Sequence, residues 1–118
     1  MTMTNAEMAS NIEILAQLKE TGKLGYAVAR NLRKLRDAAK EYLDLRDNLF
    51  QEYGHSVGGN RYMVEKDKLP EFLEALNADG IPDIEHDFEA FQVDEDTFIG
   101  GGLNSQQMSA LMWMVKED

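Results

Sequence analysis

The stretch from Val28 to Tyr53 constrains this chain most. Val28, Leu32, Leu35, Ala39, Tyr42, Arg46, Leu49 and Tyr53 follow at alternating steps of four and three, and seven of the eight are apolar or aromatic. That spacing places them on one stripe of a helix. With Gly54 as a stop, it predicts a single helix over 25–53, roughly 43 Å long at ~1.5 Å per residue. A compact domain of this length is only about 35 Å across. The stripe therefore implies either a projecting end or a partner that covers the excess. Gly22 and Gly25 are the two residues able to shorten the rod at its start.

A chain of 118 residues has the length of one domain, 1–118, and folds without a disulfide or metal. It contains no cysteine, which removes disulfides, thiolate nucleophiles and Cys-type zinc sites together. Hydrophobic residues at 43% and charged residues at 29% are globular values. Met1–Ser10 lacks the basic-then-apolar order of a secretory signal, and no apolar run approaches the ~20 residues of a membrane span. A soluble, cytoplasmic protein is expected.

Charge is partitioned. Residues 1–54 hold eight acids and eight bases, whereas 55–118 hold fourteen acids and four bases, so the net −10 lies wholly in the second half. The bases of the long helix, Arg30, Arg33, Lys34, Arg36 and Lys40, fall away from the apolar stripe. Arg33–Asp37 and Lys40–Asp44 have i,i+4 spacing, worth ~0.2–0.5 kcal/mol each. The patch reads as a solvated, salt-laced face or as the counterpart of the acidic segment 83–96. Nucleic acid is not expected as a partner, because the net charge repels a polyanion. Arg46 interrupts the stripe, and it either sets register or snorkels to the edge.

Around the long helix, shorter elements are legible. Thr4 and Glu7 have the spacing of a capping box, and Met8, Ile12 and Leu15 give the first helix an apolar face that ends at Gly22. His55–Asn60 reads as a loop and Arg61–Val64 as a short strand. Pro70 suits the first turn of a third helix, with Leu69, Phe72, Leu73 and Leu76 on one face. Ile84, His86, Phe88 and Ala90 alternate with acids, the pattern of a half-buried strand. Asp94–Asp96 predicts a turn and Gly100–Gly102 a flexible joint. Asn104 and Gln107 cap a last helix that buries Met108, Leu111, Met112 and Val115. The expected fold class is α+β: long antiparallel helices, a small antiparallel β element and a C-terminal helix.

No catalytic, metal or cofactor site is expected. His86 shares its strand face with Ile84 and Phe88 rather than with Glu85 or Asp87, and His55 falls in a loop. The serines at 10, 56, 105 and 109 have no histidine at a recognisable spacing. Asp94–Asp96 lacks the other ligands of a calcium loop, and neither glycine run has a phosphate-cradle pattern. Two surfaces remain as interaction candidates. One is the charged set Arg30, Arg33, Lys34, Arg36, Lys40 and Arg46 facing Glu85, Asp87 and Glu89. The other is Met112, Trp113 and Met114, which cannot all face one core.

Several segments carry a resemblance: Thr4–Glu7, then Gly22–Asn31 leading into the long charged helix, then Tyr53-Gly54, the acidic strand 84–91, and Leu103–Met114. In that order they resemble a family of small proteins of unknown function from phages and prophages of Gram-positive bacteria. The resemblance implies a phage setting in a bacterial host and assigns no residue a role. The functional expectation is a non-enzymatic protein-interaction protein. It self-associates through the long helix and the C-terminal Met/Trp helix and serves particle assembly or interference with a host system, its partners being itself and a phage or host protein, with neither nucleic acid nor membrane. An acidic mimic of nucleic acid that blocks a host nuclease or DNA-binding protein is the competing expectation. A small enzyme or nucleotide-binding protein, with a pocket formed between subunits, is a third, which no motif supports.

Overall fold

The computed structural model describes residues 1–59 and 61–117. The chain is α+β, mostly helical, with two separate two-stranded antiparallel sheets. Strand β1 (Thr2–Thr4) leads directly into helix α1 (Asn5–Ala16). The capping box forms as its spacing requires. Glu7 N–H donates to Thr4 Oγ1 at 3.1 Å, and Thr4 N–H donates to Glu7 Oε1 at 3.0 Å. Met8, Ile12 and Leu15 are buried on one face.

Helix α1 stops at Ala16, earlier than Gly22 suggested, and Gly22 instead opens helix α2 (Gly22–Ala38). Tertiary contacts decide this. The Glu20 carboxylate in the connection accepts the Gly102 N–H at 2.8 Å, and a side chain at Gly101 would run into the Leu24 side chain. The glycine triplet 100–102 is thus a close-packed seat for this connection rather than a joint.

The rod expected over 25–53 is broken. Helix α2 ends at Ala38 and α3 spans Lys40–Tyr53. Ala39 between them sits at φ −97°, ψ 10°. The flanking hydrogen bonds Ala39 N–H to Leu35 O and Leu43 N–H to Ala39 O persist, both at 2.9 Å. The break is therefore a dihedral step at one residue, with no glycine or proline to announce it. It lies at a boundary between two covering units. Val28, Leu35 and Ala39 join the main core under α1 and the C-terminal segment, while Tyr42 and Leu49 are buried further along α3. The stripe is therefore blanketed by its own polypeptide, and it supplies no exposed seam for self-association.

From α3 onward, over residues 40–76, the chain forms an arm. Strands β2 (Gly54–Gly58) and β3 (Arg61–Val64) pair antiparallel, with His55 opposite Met63 and Ser56 opposite Tyr62. The expected loop 55–60 is thus largely strand; Asn60 lies outside the described residues. Helix α4 (Leu69–Leu76) starts with Pro70 in its first turn and packs on α3, where the Phe72 and Phe50 rings lie 4.7 Å apart. Only Phe72 of its apolar face is buried, while Leu69 and Leu73 stay exposed.

A 3-10 segment (Ala78–Asp83), with Asp79 and Gly80 in the left-handed region, returns the chain to the body. Strand β4 (Glu85–Asp87) is shorter than the expected 84–90, because its ladder partner among the described residues is the three-residue β1, with Met3 opposite His86. Further on, Val93 bridges Val115 in parallel. Asp94 caps helix α5 (Glu95–Ile99), and an Asn104–Gln107 capping box opens α6 (Ser105–Ala110).

The last helix is shorter than expected. After Ala110 the backbone tightens into a 3-10 turn, Met112–Met114. At ~3 residues per turn, positions three apart eclipse. Leu111 and Met114 are accordingly both fully buried, and Met112 turns outward at 57% exposure. The expectation that Met112 packs inward is overturned, and so is the expectation that Met114 contacts a partner. The whole molecule measures 48 × 31 × 23 Å with a radius of gyration of 16.2 Å. That exceeds the ~13.5 Å of a compact chain of this length, in keeping with an arm built on the body.

Candidate functional site

The basic face of α2 does meet the acidic segment, but not through carboxylates. Lys34 Nζ donates to the backbone carbonyl of Glu89 at 2.9 Å, and the Arg30 guanidinium lies 5.2 Å from the centre of the Phe91 ring. Between them the fully buried Asn31 makes a two-way contact. Its Nδ2 donates to Phe91 O and its Oδ1 accepts from Phe91 N–H, both at 2.8 Å. A side-chain amide thus replaces a strand partner and fixes 89–93 along α2. Asn31 carried no signal in the sequence beyond its place in the stripe's neighbourhood.

The other candidates scatter. Arg33 and Arg36 are exposed and make no ion pair among the described residues. Lys40 Nζ pairs with Asp44 at 2.6 Å, and that carboxylate raises the lysine's pKa above its usual value. Arg46 is half-buried, and its Nε is sealed from solvent with no hydrogen-bond partner among the described residues. Glu85, Asp87 and Glu89 are all exposed. Trp113 is half-buried, edge-on to Phe88 at 5.8 Å, and donates from Nε1 to Asn11 Oδ1 at 3.4 Å. Met112 lines an apolar groove of about 460 Å³ with Phe98, Ile99, Met108 and Val115.

Neither histidine sits in a catalytic constellation. His86 Nε2 is 2.8 Å from Asn5 Oδ1, and the buried Asn5 donates to Ile81 O at 2.9 Å, a link that locks β4 onto the start of α1. His55 Nδ1 lies 3.5 Å from a Glu65 oxygen on the exposed hairpin side. Among the described residues no group of three or more His, Asp or Glu converges as a metal site, and no helix is long and apolar enough to cross a membrane.

Two surfaces stand out by geometry. The first is a cleft of about 410 Å³ on the body, between the start of α2, the extended segment 91–94 and Lys116. Tyr26 and Phe91 form its aromatic floor, with ring centres 5.3 Å apart and planes at 74°. Arg30 Nη1 donates to Tyr26 Oη at 3.1 Å, and Lys23 and Lys116 stand on the rim. Asp94, on the same wall, accepts the Thr97 N–H at 2.7 Å. That bond, and secondarily Lys23 and Lys116, hold its carboxyl below the ordinary range.

The second surface is the arm. Val57, Tyr62, Met63, Leu69 and Leu73 are all exposed there. Tyr62 and Met63 are neighbours in one strand and face opposite ways, so both faces of the hairpin present a large side chain to solvent.

Neither surface was singled out from the sequence. Tyr26, Lys23, Phe91 and Lys116 lie far apart in the chain and share no pattern. The exposed side of α4 is indistinguishable from a buried one by periodicity. Comparison with known protein families, with curated proteins and with solved structures gives no match.

Proposed function

We propose that this chain is a non-enzymatic protein-interaction protein that self-associates through the arm. The single observation that carries the reading is the exposed apolar set Val57, Tyr62, Met63, Leu69 and Leu73 on one small unit. Clusters of exposed large apolar side chains mark interaction surfaces. A two-stranded hairpin wet on both faces is marginal alone and gains from added strands or packing.

Charge opposes a second copy less at the arm than elsewhere on the chain. The arm, residues 40–76, holds eight acids and five bases, a net −3; the rest of the chain holds fourteen and seven, a net −7. Strand β2 carries no Asp, Glu, Lys or Arg, and β3 carries only Arg61. Pairing a strand with its own two-fold copy sets Arg61 against Val64 or leaves β2 against an uncharged edge, so no like charges meet. The acidic body keeps other faces apart. Within the phage setting that the resemblance implies, such a protein serves particle assembly or interference with a host system.

Light scattering at micromolar concentration tests the reading. The wild type is expected to reach at least a dimer, and Met63→Glu combined with Leu73→Glu to run at the 13.4 kDa of one chain. A wild type that remains at 13.4 kDa at high concentration contradicts it.

A second reading rests on a different observation. No Lys or Arg occurs between Lys68 and Lys116, and Glu85, Asp87 and Glu89 are exposed along one stretch. An acidic mimic of nucleic acid presents such an edge to a basic groove on a host nuclease or DNA-binding protein. Salt-sensitive binding to such a protein, lost when all three acids are neutralised, would favour it over the first.

A further inference from the structure

We propose that the body cleft is a docking site for an extended acidic segment of a partner protein, with one aromatic side chain of that segment seated on the Tyr26–Phe91 floor. The cleft has the size and mostly apolar lining of a site that takes one large group, with a few polar groups to orient it. Tyr26 is 56% exposed although it lies against Phe91. Its open face offers the edge or offset stacking that aromatic rings prefer.

Charge selects the flanking residues of the ligand. In a chain of net −10, the cleft gathers three cations: Lys23 and Lys116 on the rim and Arg30 beside the floor. None of the three belongs to an ion pair among the described residues. Asp94, on the same wall, offsets one of these charges, which leaves the cleft lining together with Arg30 at net +2. A long polyanion would meet the exposed Glu89 and Glu95 as well as Asp94, whereas a short segment with two or three carboxylates is held by the net positive rim.

The backbone favours a peptide over a free small molecule. Phe91 is occupied on both its N–H and C=O by Asn31, and Val93 by Met114 and Lys116. Gln92 lies between them on the cleft wall, and among the described residues its peptide N–H and C=O make no hydrogen bond. An extended peptide laid along 91–93 engages both groups, as in strand addition at a sheet edge.

The probe is a blocked tetrapeptide, Glu-Glu-Phe-Glu, titrated into the 15N-labelled full chain and followed by amide shifts. Binding is expected with Kd on the order of 0.1–1 mM, as one anchored side chain allows. Shifts should centre on Tyr26, Gln92, Thr97 and Lys116. Replacing the phenylalanine by alanine, or all glutamates by lysine, should weaken binding at least about tenfold. Lys23→Glu with Lys116→Glu should do the same, and these exposed changes leave the fold intact by its unshifted remaining amides. Absence of shifts up to roughly 5 mM peptide, equal binding of the lysine peptide, or equal binding of free phenylacetate would each overturn the assignment. Light scattering on the same samples reads the arm separately, so loss of self-association and loss of peptide binding are told apart.

Discussion

In the body, the side chains of Met8, Leu15, Leu35, Leu111 and Met114 are sealed almost completely, and the core runs continuously through α1, α2 and the C-terminal segment. In the arm Tyr42, Leu49 and Phe72 are buried less completely, at 8%, 8% and 5% exposure, and five large apolar side chains face water. One helix stripe enters both regions with the same spacing. The difference teaches that periodicity reports which face of a helix is apolar, whereas burial depends on how much other chain arrives to cover it. The body receives cover from both termini. The arm receives only one eight-residue helix and a hairpin.

The largest expected effect compares the two regions directly. Leu35→Ala should lower global stability by about 2–5 kcal/mol, since a fully buried leucine leaves a cavity. Leu73→Ala, on the exposed side of α4, should stay within about 0.5 kcal/mol. Chemical denaturation of both variants measures this, and similar losses would erase the distinction between body and arm.

Asn31→Leu comes next. It removes both partners of the Phe91 peptide group and should cost about 1–3 kcal/mol for each group left unpaired. Denaturation gives the cost, and loss of the Tyr26–Phe91 ring contact by NMR shows that the cleft floor depends on it.

Arg46→Met has the opposite sign. It deletes a charged donor whose Nε is buried without a partner while keeping a long apolar stem, and it should stabilise the chain by about 1 kcal/mol. A destabilisation of that size would mean that the guanidinium does more for the arm than its contacts account for.

The smallest effect is a pH dependence at the cleft wall. The Asp94 pKa is lowered in the fold, chiefly by the Thr97 N–H. Its stabilisation is therefore complete above the unfolded value of roughly 4 and is lost as pH falls through the lower, folded value. Wild type and Asp94→Asn should differ most near neutral pH and converge in acid, as followed by thermal melts across that range.

What the sequence made legible was local. The Thr4–Glu7 and Asn104–Gln107 boxes, the Pro70 helix start and the Arg61–Val64 strand each rest on chemistry within a few residues, and each forms. What it did not reveal was set at long range. Ala39 has no breaker beside it, and the step there reflects the boundary between two covering units. Gly22 reads equally well as the end of one helix and the start of another until Glu20 meets Gly102. Strand β1 is too short to show a period, and the 3-10 tightening after Ala110 changes which methionine is buried without changing the apolar pattern. Of the candidate residues, Arg30 and Lys34 do touch the acidic segment, but at a ring and a carbonyl; Asn31, which organises that contact, has no signature.

Hydrogen exchange at two protein concentrations tests the central claim most directly. If the arm is a half-covered unit completed by a second copy, amides of 54–58 and 61–64 should gain protection as concentration rises through the micromolar range, while those of α1 and α2 stay unchanged. Exchange in the hairpin that is the same at both concentrations, with a mass fixed at 13.4 kDa, would contradict it.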